Sequence, residues 1–93
     1  MLTAVEEIKL ISELTEDAEY EAEVFADIHD ITQREFFEAD EAGIRPEFKA
    51  VIWFDEYDGE TIIERGGERY DIYRTYERSD GKIELYAQSR VGV

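Results

Sequence analysis

The chain has few of the side chains that perform acid–base or nucleophilic chemistry. His29 is its single histidine, and there is no cysteine. The alternation of residues around His29 puts it on the solvent-facing side of a strand, between Asp27 and Asp30. A serine nucleophile needs a neighbouring base, and the sequence offers no second histidine for that role. We interpret His29 as a solvated surface residue and predict that the protein is not an enzyme and has no catalytic residues.

Carboxylates are the remaining candidates for chemistry, because oxygen ligands bind calcium and magnesium. The most concentrated acidic run extends from Asp55 to Glu60. It lacks the alternating acidic spacing and the late glutamate of a calcium-binding loop. The pair Gly66-Gly67 has the pattern of a hairpin turn and not of a phosphate-binding loop. The sequence therefore predicts no metal site and no cofactor.

A second concentration of notable side chains lies between residues 65 and 78. It combines arginine with tyrosine, two of the residue types most enriched at the energetic centres of protein interfaces. Ordinary sheet pairing, with arginine stems lying along the surface, is an equally simple explanation. Arg69 and Arg74 are separated by an odd number of positions, so a regular strand would point them to opposite sides. The predicted interface residues are Arg65, Arg69, Tyr70, Arg74, Tyr76 and Arg78.

The formal net charge of −15 is carried entirely by residues 1–60, whereas residues 61–93 hold six acidic and six basic side chains. Binding to nucleic acid by counterion release requires clustered lysine and arginine, so this composition argues against it. Three interpretations of the acidity stay open: solubility alone, pairing with a basic protein surface, and repulsion of DNA. No stretch approaches the roughly 20 apolar residues of a membrane-spanning helix, so we expect no membrane partner.

Alternating apolar residues and turn signals predict one mainly β domain over residues 1–93. Within the N-terminal segment, residues 1–19, the apolar spacing of Val5 to Leu14 fits a strand and a helix equally. The short turns at Gly66-Gly67 and Asp80-Gly81 require antiparallel pairing. We therefore predict a small antiparallel β-barrel or sandwich with one short helix in a long excursion between strands. The predicted strands are Tyr20 to Ile31, Phe48 to Asp55, Glu60 to Arg65, Arg69 to Glu77 and Lys82 to Val91.

Two of these strands differ in their apolar pattern. The strand that begins at Tyr20 alternates, so it has one face in the core and one in water, and Phe25 falls on the wet face. The strand that begins at Phe48 is apolar on both faces, which indicates that both are covered. Trp53 is therefore expected in the core.

Residues 32–47 are the predicted excursion. Thr32 and Glu35 have the spacing of a capping box, in which each side chain accepts a hydrogen bond from the backbone N–H of the other residue. The helix is expected to run to about Ala42 and to stop at Gly43. At 100° per residue, the arc of the helix that should face the core contains Phe36, Phe37 and Ala39, whereas the carboxylates of Glu35, Glu38 and Glu41 point away.

Asp40 falls inside this apolar arc, where a carboxylate is out of place. Either the helix frays there and the carboxylate reaches water, or Asp40 meets a cation, which is Arg45 or a residue of a partner. The predicted excursion residues are Thr32, Glu35, Phe36, Phe37, Asp40, Glu41 and Arg45.

Several pieces of the chain, in this order and spacing, resemble the phage head-closure proteins. These are also called head–tail adaptor or stopper proteins, and they occur in long-tailed phages and prophages. The resemblance covers roughly residues 20–90. The pieces that carry it are Val24 to Ile28, Thr32 to Ala39, Gly43 to Glu47, Tyr57 to Glu60, Gly67 to Tyr76 and Ile83 to Tyr86.

The resemblance implies a structural virion protein with the fold of a small β-barrel, in which residues 32–47 are the excursion near the channel. Such a subunit forms a ring with copies of itself, dodecameric in the virion, beneath the portal and adaptor proteins. The ring closes the DNA channel after packaging and docks tail proteins, and the packaged DNA passes through without sequence-specific binding. The expected location is the virion, after assembly in the host cytoplasm. Two alternatives stay open: another small tail-completion or connector component, and an acidic inhibitor or DNA mimic that binds a basic protein.

Overall fold

Of the first segment, which the sequence leaves open between helix and strand, Ala4 to Glu13 form a strand. The computed structural model describes residues 4–13 and 19–90. Leu14, at the end of that segment, and Val91, at the end of the last predicted strand, lie outside the described residues. Strand β1 (Ala4–Glu13) pairs antiparallel with strand β2 (Glu19–His29) along its whole length. Ile8 and Leu10 alternate with charged residues, so pairing turns the apolar set to one side of the sheet.

The remaining strands complete a closed barrel. Its strand order is β1-β2-β3-β6-β5-β4, every pairing is antiparallel, and β4 pairs back onto β1. The prediction of a mainly β protein, an antiparallel barrel with one short helix between strands, is confirmed. After β2 come helix α1 (Gln33–Glu41), β3 (Pro46–Trp53), a 3-10 turn (Phe54–Glu56), β4 (Ile62–Arg65), β5 (Glu68–Glu77) and β6 (Lys82–Ser89).

Two hairpin turns hold the second half of the barrel in register. Gly66 and Gly67 join β4 to β5, and both have positive φ, at 59° and 82°. This conformation at two successive positions matches the twist of the flanking strands and strains other residue types. The β5–β6 turn uses Gly81 at φ 85°. There the Asp80 carboxylate accepts a hydrogen bond from the backbone N–H of Lys82.

The barrel interior is filled by the alternate apolar residues that face inward on all six strands. A closed six-stranded barrel has no room for a channel once such side chains fill it. The prediction that Ile83, Leu85 and Ala87 point inward is confirmed. The core residues are Ile8, Leu10, Val24, Ala26, Phe48, Ala50, Ile52, Ile63, Ile83, Leu85 and Ala87.

Glu60 is a buried carboxylate that the sequence does not reveal. It is 1% exposed, and it lies before β4, which begins at Ile62 and not at Glu60 as predicted. The carboxylate accepts a hydrogen bond from the backbone N–H of Asp58 at 2.7 Å. The hydroxyl of Tyr57 donates to the backbone oxygen of Glu60 at 2.8 Å. These two bonds shape the connection between the 3-10 turn and β4.

The expectation that Trp53 lies in the core is wrong. Lys49, Val51 and Trp53 share the outer side of β3, because Phe48, Ala50 and Ile52 occupy the inner side. β3 ends at Trp53, and the chain turns away into the 3-10 segment instead of covering the indole. Trp53 is therefore 54% exposed, with the Lys82 ammonium 4.9 Å from the ring centroid.

The expectation that Arg69 and Arg74 face opposite sides is also wrong, because β5 contains a bulge. The register shifts between Ile72, which pairs with Ala87, and Arg74, which pairs with Tyr86. A bulge inserts one extra residue and reverses the alternation beyond it. Arg69 and Arg74 consequently lie on the same outer face of the barrel.

The inward and outward faces of the barrel should respond very differently to truncation. Leu85→Ala removes a side chain that is fully buried in the core, so it should lower the free energy of unfolding by about 2–5 kcal/mol. Phe25→Ala removes a larger side chain that is 67% exposed, and the change should stay within about 0.5 kcal/mol. Urea unfolding followed by circular dichroism measures both. Equal losses would contradict the assignment of the two faces.

Candidate assembly surfaces

Helix α1 is held to the outside of the barrel by one carboxylate. Glu35 accepts hydrogen bonds from the Lys49 ammonium at 3.2 Å and from the Tyr86 hydroxyl at 2.9 Å. The predicted capping box with Thr32 is present: the backbone N–H of Thr32 donates to Glu35 at 2.9 Å, and the backbone N–H of Glu35 donates to the Thr32 hydroxyl. Glu35 thus caps its own helix and binds two strands at once.

Tyr86 is shared between two acidic partners. Its hydroxyl oxygen lies 2.7 Å from Glu84 and 2.9 Å from Glu35. A phenol has one proton to donate, so it donates to one carboxylate at a time. Burial, followed by these two carboxylates, raises the pKa of Tyr86 above its usual range. The hydroxyl therefore stays protonated as a donor at all ordinary pH values.

The helix is rotated relative to its predicted apolar arc: of Phe36, Phe37 and Ala39, Ala39 alone is buried, and the expectation that Glu35 points away is wrong. Glu35 and Ala39, one turn apart, face the barrel, and Ala39 is buried. Phe36 and Phe37 are 46% and 58% exposed, with their ring centroids 6.2 Å apart. The charged hydrogen bonds of Glu35 decide the rotation of the helix, because a buried carboxylate without partners would cost more than an exposed phenylalanine.

Of the two expectations for Asp40, the structure agrees with neither in full. The carboxylate is exposed, but the helix continues through it to Glu41, and the Asp40 carbonyl accepts a hydrogen bond from the N–H of Gly43. Glu41 and Arg45 are exposed as well. Among the described residues, no cation forms an ion pair with Asp40.

The hairpin residues predicted as one interface divide into separate groups. Arg65 makes a bidentate ion pair with Glu6, with both N···O distances at 2.8 Å. Tyr70 packs edge-to-face on the core residue Phe48, with centroids 4.9 Å apart. These two residues therefore stabilise the barrel itself. The Arg65 hydrogen bond also lowers the pKa of the Glu6 carboxyl.

The other members of the hairpin lie on the outer face of β5 or at its end. Arg69 pairs with Glu64 at 3.4 Å, and Arg78 pairs with Asp80 at 2.7 Å. Tyr76 is 52% exposed. Arg74 is exposed, and its guanidinium lies 4.9 Å from the centroid of the Tyr86 ring.

Three of the basic side chains differ from the others in their ion pairing. Seven of the ten lysine and arginine residues form ion pairs with carboxylates of the same chain. Within the described residues, Arg45, Arg74 and Lys82 form none. Of the predicted hairpin arginines, Arg74 is therefore the one whose charge is available to a partner. It lines a groove of about 260 Å³ between α1 and β5, together with Ala39 and Ile44.

A second apolar surface, which is not among the interface residues predicted from the sequence, lies on the outer sides of β1, β2 and β3. Val5 is 63% exposed and Phe25 is 67% exposed. With Trp53 and the Lys82 side chain they line a cavity of about 190 Å³, and Phe54 continues the patch beyond Trp53. A phenylalanine on the wet face of an alternating strand, as Phe25 is, is the sequence signal for this surface.

No cluster of three or more His, Asp or Glu side chains in the described parts of the chain is arranged to hold a metal ion. The described residues also contain no helix long and apolar enough to cross a membrane. No family model matches the chain, and neither a curated protein nor a solved structure matches it. The surfaces of the barrel itself therefore carry the functional argument.

The contacts of the Glu35 carboxylate should make the free energy of unfolding fall at low pH. Burial alone would raise the pKa of Glu35, but hydrogen bonds from Thr32, Tyr86 and Lys49 outweigh it and lower the pKa from 4.5 to about 2. The resulting stabilisation is complete above pH 4.5 and is lost as the pH falls towards 2. Glu35→Gln keeps the capping-box spacing but removes the charge.

The free energy of unfolding is measured as a function of pH for the parent protein and for Glu35→Gln. The difference between the parent protein and Glu35→Gln should be greatest near neutral pH and shrink between pH 4.5 and about 2. Glu38→Gln is the matched control, since Glu38 lies on the same helix and pairs only with Arg34 at the surface. A Glu35→Gln difference that does not change with pH would exclude this role of the carboxylate.

Proposed function

We propose that the protein is a structural ring subunit of a phage head–tail connector, which closes the DNA channel after packaging and docks the tail. In this proposal it is not an enzyme. The observation that carries the proposal is the pair of separate aromatic surfaces on a closed barrel. One is the Phe36–Phe37 pair of α1, and the other is the Val5, Phe25 and Trp53 surface of β1 to β3.

Two different exposed apolar surfaces are what a ring subunit requires. In a cyclic assembly of more than two copies, each contact joins one face of a subunit to a different face of the next. Exposed aromatic side chains are costly to solubility unless a partner covers them, and aromatics anchor most interfaces.

The fold and the sequence order support the same proposal. The resemblance to head-closure proteins implies a small barrel with a helical excursion, and the chain forms a six-stranded barrel with α1 between β2 and β3. α1 is joined to the barrel by side chains at its first turn, and its acidic end, Asp40 and Glu41, is exposed. Such an excursion is suited to reach a neighbour or the channel.

The charge distribution suits a protein that lies beside DNA without binding it. The net charge is −15, and seven of the ten basic side chains are neutralised by carboxylates of the same subunit. A wall of this sign repels phosphates and leaves DNA free to slide. The portal, adaptor and tail proteins would be the partners, and the virion would be the site of action.

Co-sedimentation with the portal and adaptor complex of the same phage genome tests the proposal. We expect several copies of the protein to move with each complex through a density gradient. The control is Leu85→Ala, which damages the barrel and should stay at the top. Failure of the folded parent protein to move with the complex would overturn the proposal. Binding to an unrelated basic protein instead would favour the acidic-inhibitor alternative.

Arg74 should contribute to association and not to folding. Its guanidinium has no ion pair among the described residues, so Arg74→Ala should leave the free energy of unfolding within about 1 kcal/mol. If a partner carboxylate pairs with Arg74 in a buried contact, its loss should weaken docking by about 2–5 kcal/mol. Arg78→Ala is the matched control, because Arg78 already pairs with Asp80. Equal docking of all three proteins would exclude Arg74 from the interface.

The free protein should be mainly monomeric at micromolar concentration and low salt. Copies that each carry −15 repel one another within the Debye length, about 10 Å at 0.1 M salt. A portal complex would offset the repulsion by raising the local concentration of neighbours. Sedimentation velocity at two salt concentrations measures this, and added salt should increase association. A stable ring at low salt in the absence of the portal would contradict templated assembly.

A further inference from the structure

We propose that the contact between neighbouring subunits is made by the Phe36–Phe37 ridge of one copy seated in the Val5–Phe25–Trp53 groove of the next. This inference rests on the proposed function, because it identifies the partner of each surface within the ring. The ridge is the exposed side of α1. The groove is the concave outer surface of β1, β2 and β3.

The groove has the shape and lining of an acceptor for an aromatic side chain. It encloses about 190 Å³, and Val5, Phe25 and Trp53 stand around it, with Ala26 and Val51 also contributing to its lining. The rings of Phe25 and Trp53 are more than half exposed in the free subunit. Cross-strand pairing of Glu7 with Phe25 gives the groove an acidic edge.

The ridge supplies side chains of matching chemistry. Phe36 and Phe37 are adjacent on a capped helix, with their rings 6.2 Å apart and tilted by 72°. The capping box and the Glu35 contacts hold the helix in one rotation, so the two rings are presented without further ordering. A pre-organised aromatic pair loses little conformational entropy on binding.

Charge complementarity favours a second copy of this chain as the occupant. The groove contains Lys82, whose ammonium has no ion pair within the described residues. The helix that carries the ridge ends in exposed Asp40 and Glu41. A second pair of opposite charges is available. Arg74 lies beside α1, near the ridge, and Asp27 lines the Val5–Phe25–Trp53 groove. Each surface therefore carries a charged side chain that can pair with one of opposite sign on the other surface.

In the proposed ring the contact is head-to-tail, because the ridge of each copy sits in the groove of the next copy and not in that of a reciprocal partner. A head-to-tail contact leaves one ridge and one groove free on every dimer, and it continues until rotation closes a ring. A stable interface covers about 800 Å² on each partner, with aromatic anchors at its centre and a polar rim. The ridge and groove would be that centre.

Site-directed cross-linking tests the contact, because the chain has no cysteine of its own. Gln33→Cys lies one turn before Phe37 on the exposed side of α1, and Glu7→Cys lies opposite Phe25 on β1. Both substitutions keep the aromatic anchors. A double variant treated with a short bifunctional thiol reagent should give a ladder of oligomers, and each single variant should give at most a trace of dimer.

The control pair is Gln33→Cys with Thr61→Cys. Thr61 is exposed, and its backbone N–H bonds to the carbonyl of Ile11, near the opposite end of β1 from Val5. This pair should give no ladder. Cross-linking is done on the protein bound to the portal complex and on the free protein at high concentration. An equal ladder from the control pair would mean random collision and would overturn the contact.

This experiment distinguishes a failure of the proposed contact from a failure of the proposed connector function. Protein that co-sediments with the portal complex but gives no ladder from Gln33→Cys and Glu7→Cys would overturn the contact and leave the proposed function standing. A ladder from the free protein, together with no portal binding, would support the contact and count against the connector function. A ladder on the portal complex that ends at a single ring size supports both.

Two further variants check the chemistry of the contact. Phe36→Ser with Phe37→Ser should abolish the ladder while the circular dichroism spectrum of the barrel is unchanged, since both rings are exposed. Lys82→Glu should reduce the yield of the ladder about threefold, and Asp40→Lys in the same chain should restore it. A full ladder from the double serine variant would overturn the proposed contact.

Discussion

Closure of the sheet is the constraint on which the rest of this structure depends. β4 pairs with β1 through Lys9 with Glu64, Leu10 with Ile63 and Ile11 with Ile62, so each of the six strands has a neighbour on both sides. Closure is nevertheless partial along some strands, because residues 4–8 of β1, residues 19–26 of β2 and residues 73–77 of β5 pair on one side only. Binding by strand addition needs such an unpaired edge and is confined to these stretches. Elsewhere a partner must be recognised by the outer side chains and by the one excursion that leaves the barrel. The exposed aromatic residues lie in those places.

A second consequence of closure is that the helix needs a specific attachment. The inner face of the barrel is complete without α1, and Ala39 is its one buried residue. Apolar burial alone would hold so small a contact weakly. The hydrogen bonds of Glu35 to Lys49 and Tyr86 supply the remainder, and they orient Phe36 and Phe37 outward. The attachment of the helix and the exposure of the two rings, which the proposed assembly requires, are thus linked through a single carboxylate.

Much of the fold could be predicted from the sequence, and the exceptions have physical reasons. Alternation and turn glycines identify five strands, and the capping box identifies the start of the helix. The rotation of the helix could not be predicted, because the partners of Glu35 lie 14 and 51 residues away along the chain. The bulge in β5 has no local sequence signature, so the sequence could not predict that Arg69 and Arg74 lie on the same face. Trp53 is exposed because the strand ends there, and strand ends are poorly encoded.

The central claim is that identical barrels assemble head-to-tail around a channel. Electron microscopy of the protein bound to its portal and adaptor complex tests this most directly, because it gives both the symmetry and the faces in contact. The account predicts one closed ring of barrels, related by rotation, with α1 of each subunit against β1 to β3 of the next. A chain bound as isolated copies, or as two-fold pairs that bring identical faces together, would contradict it.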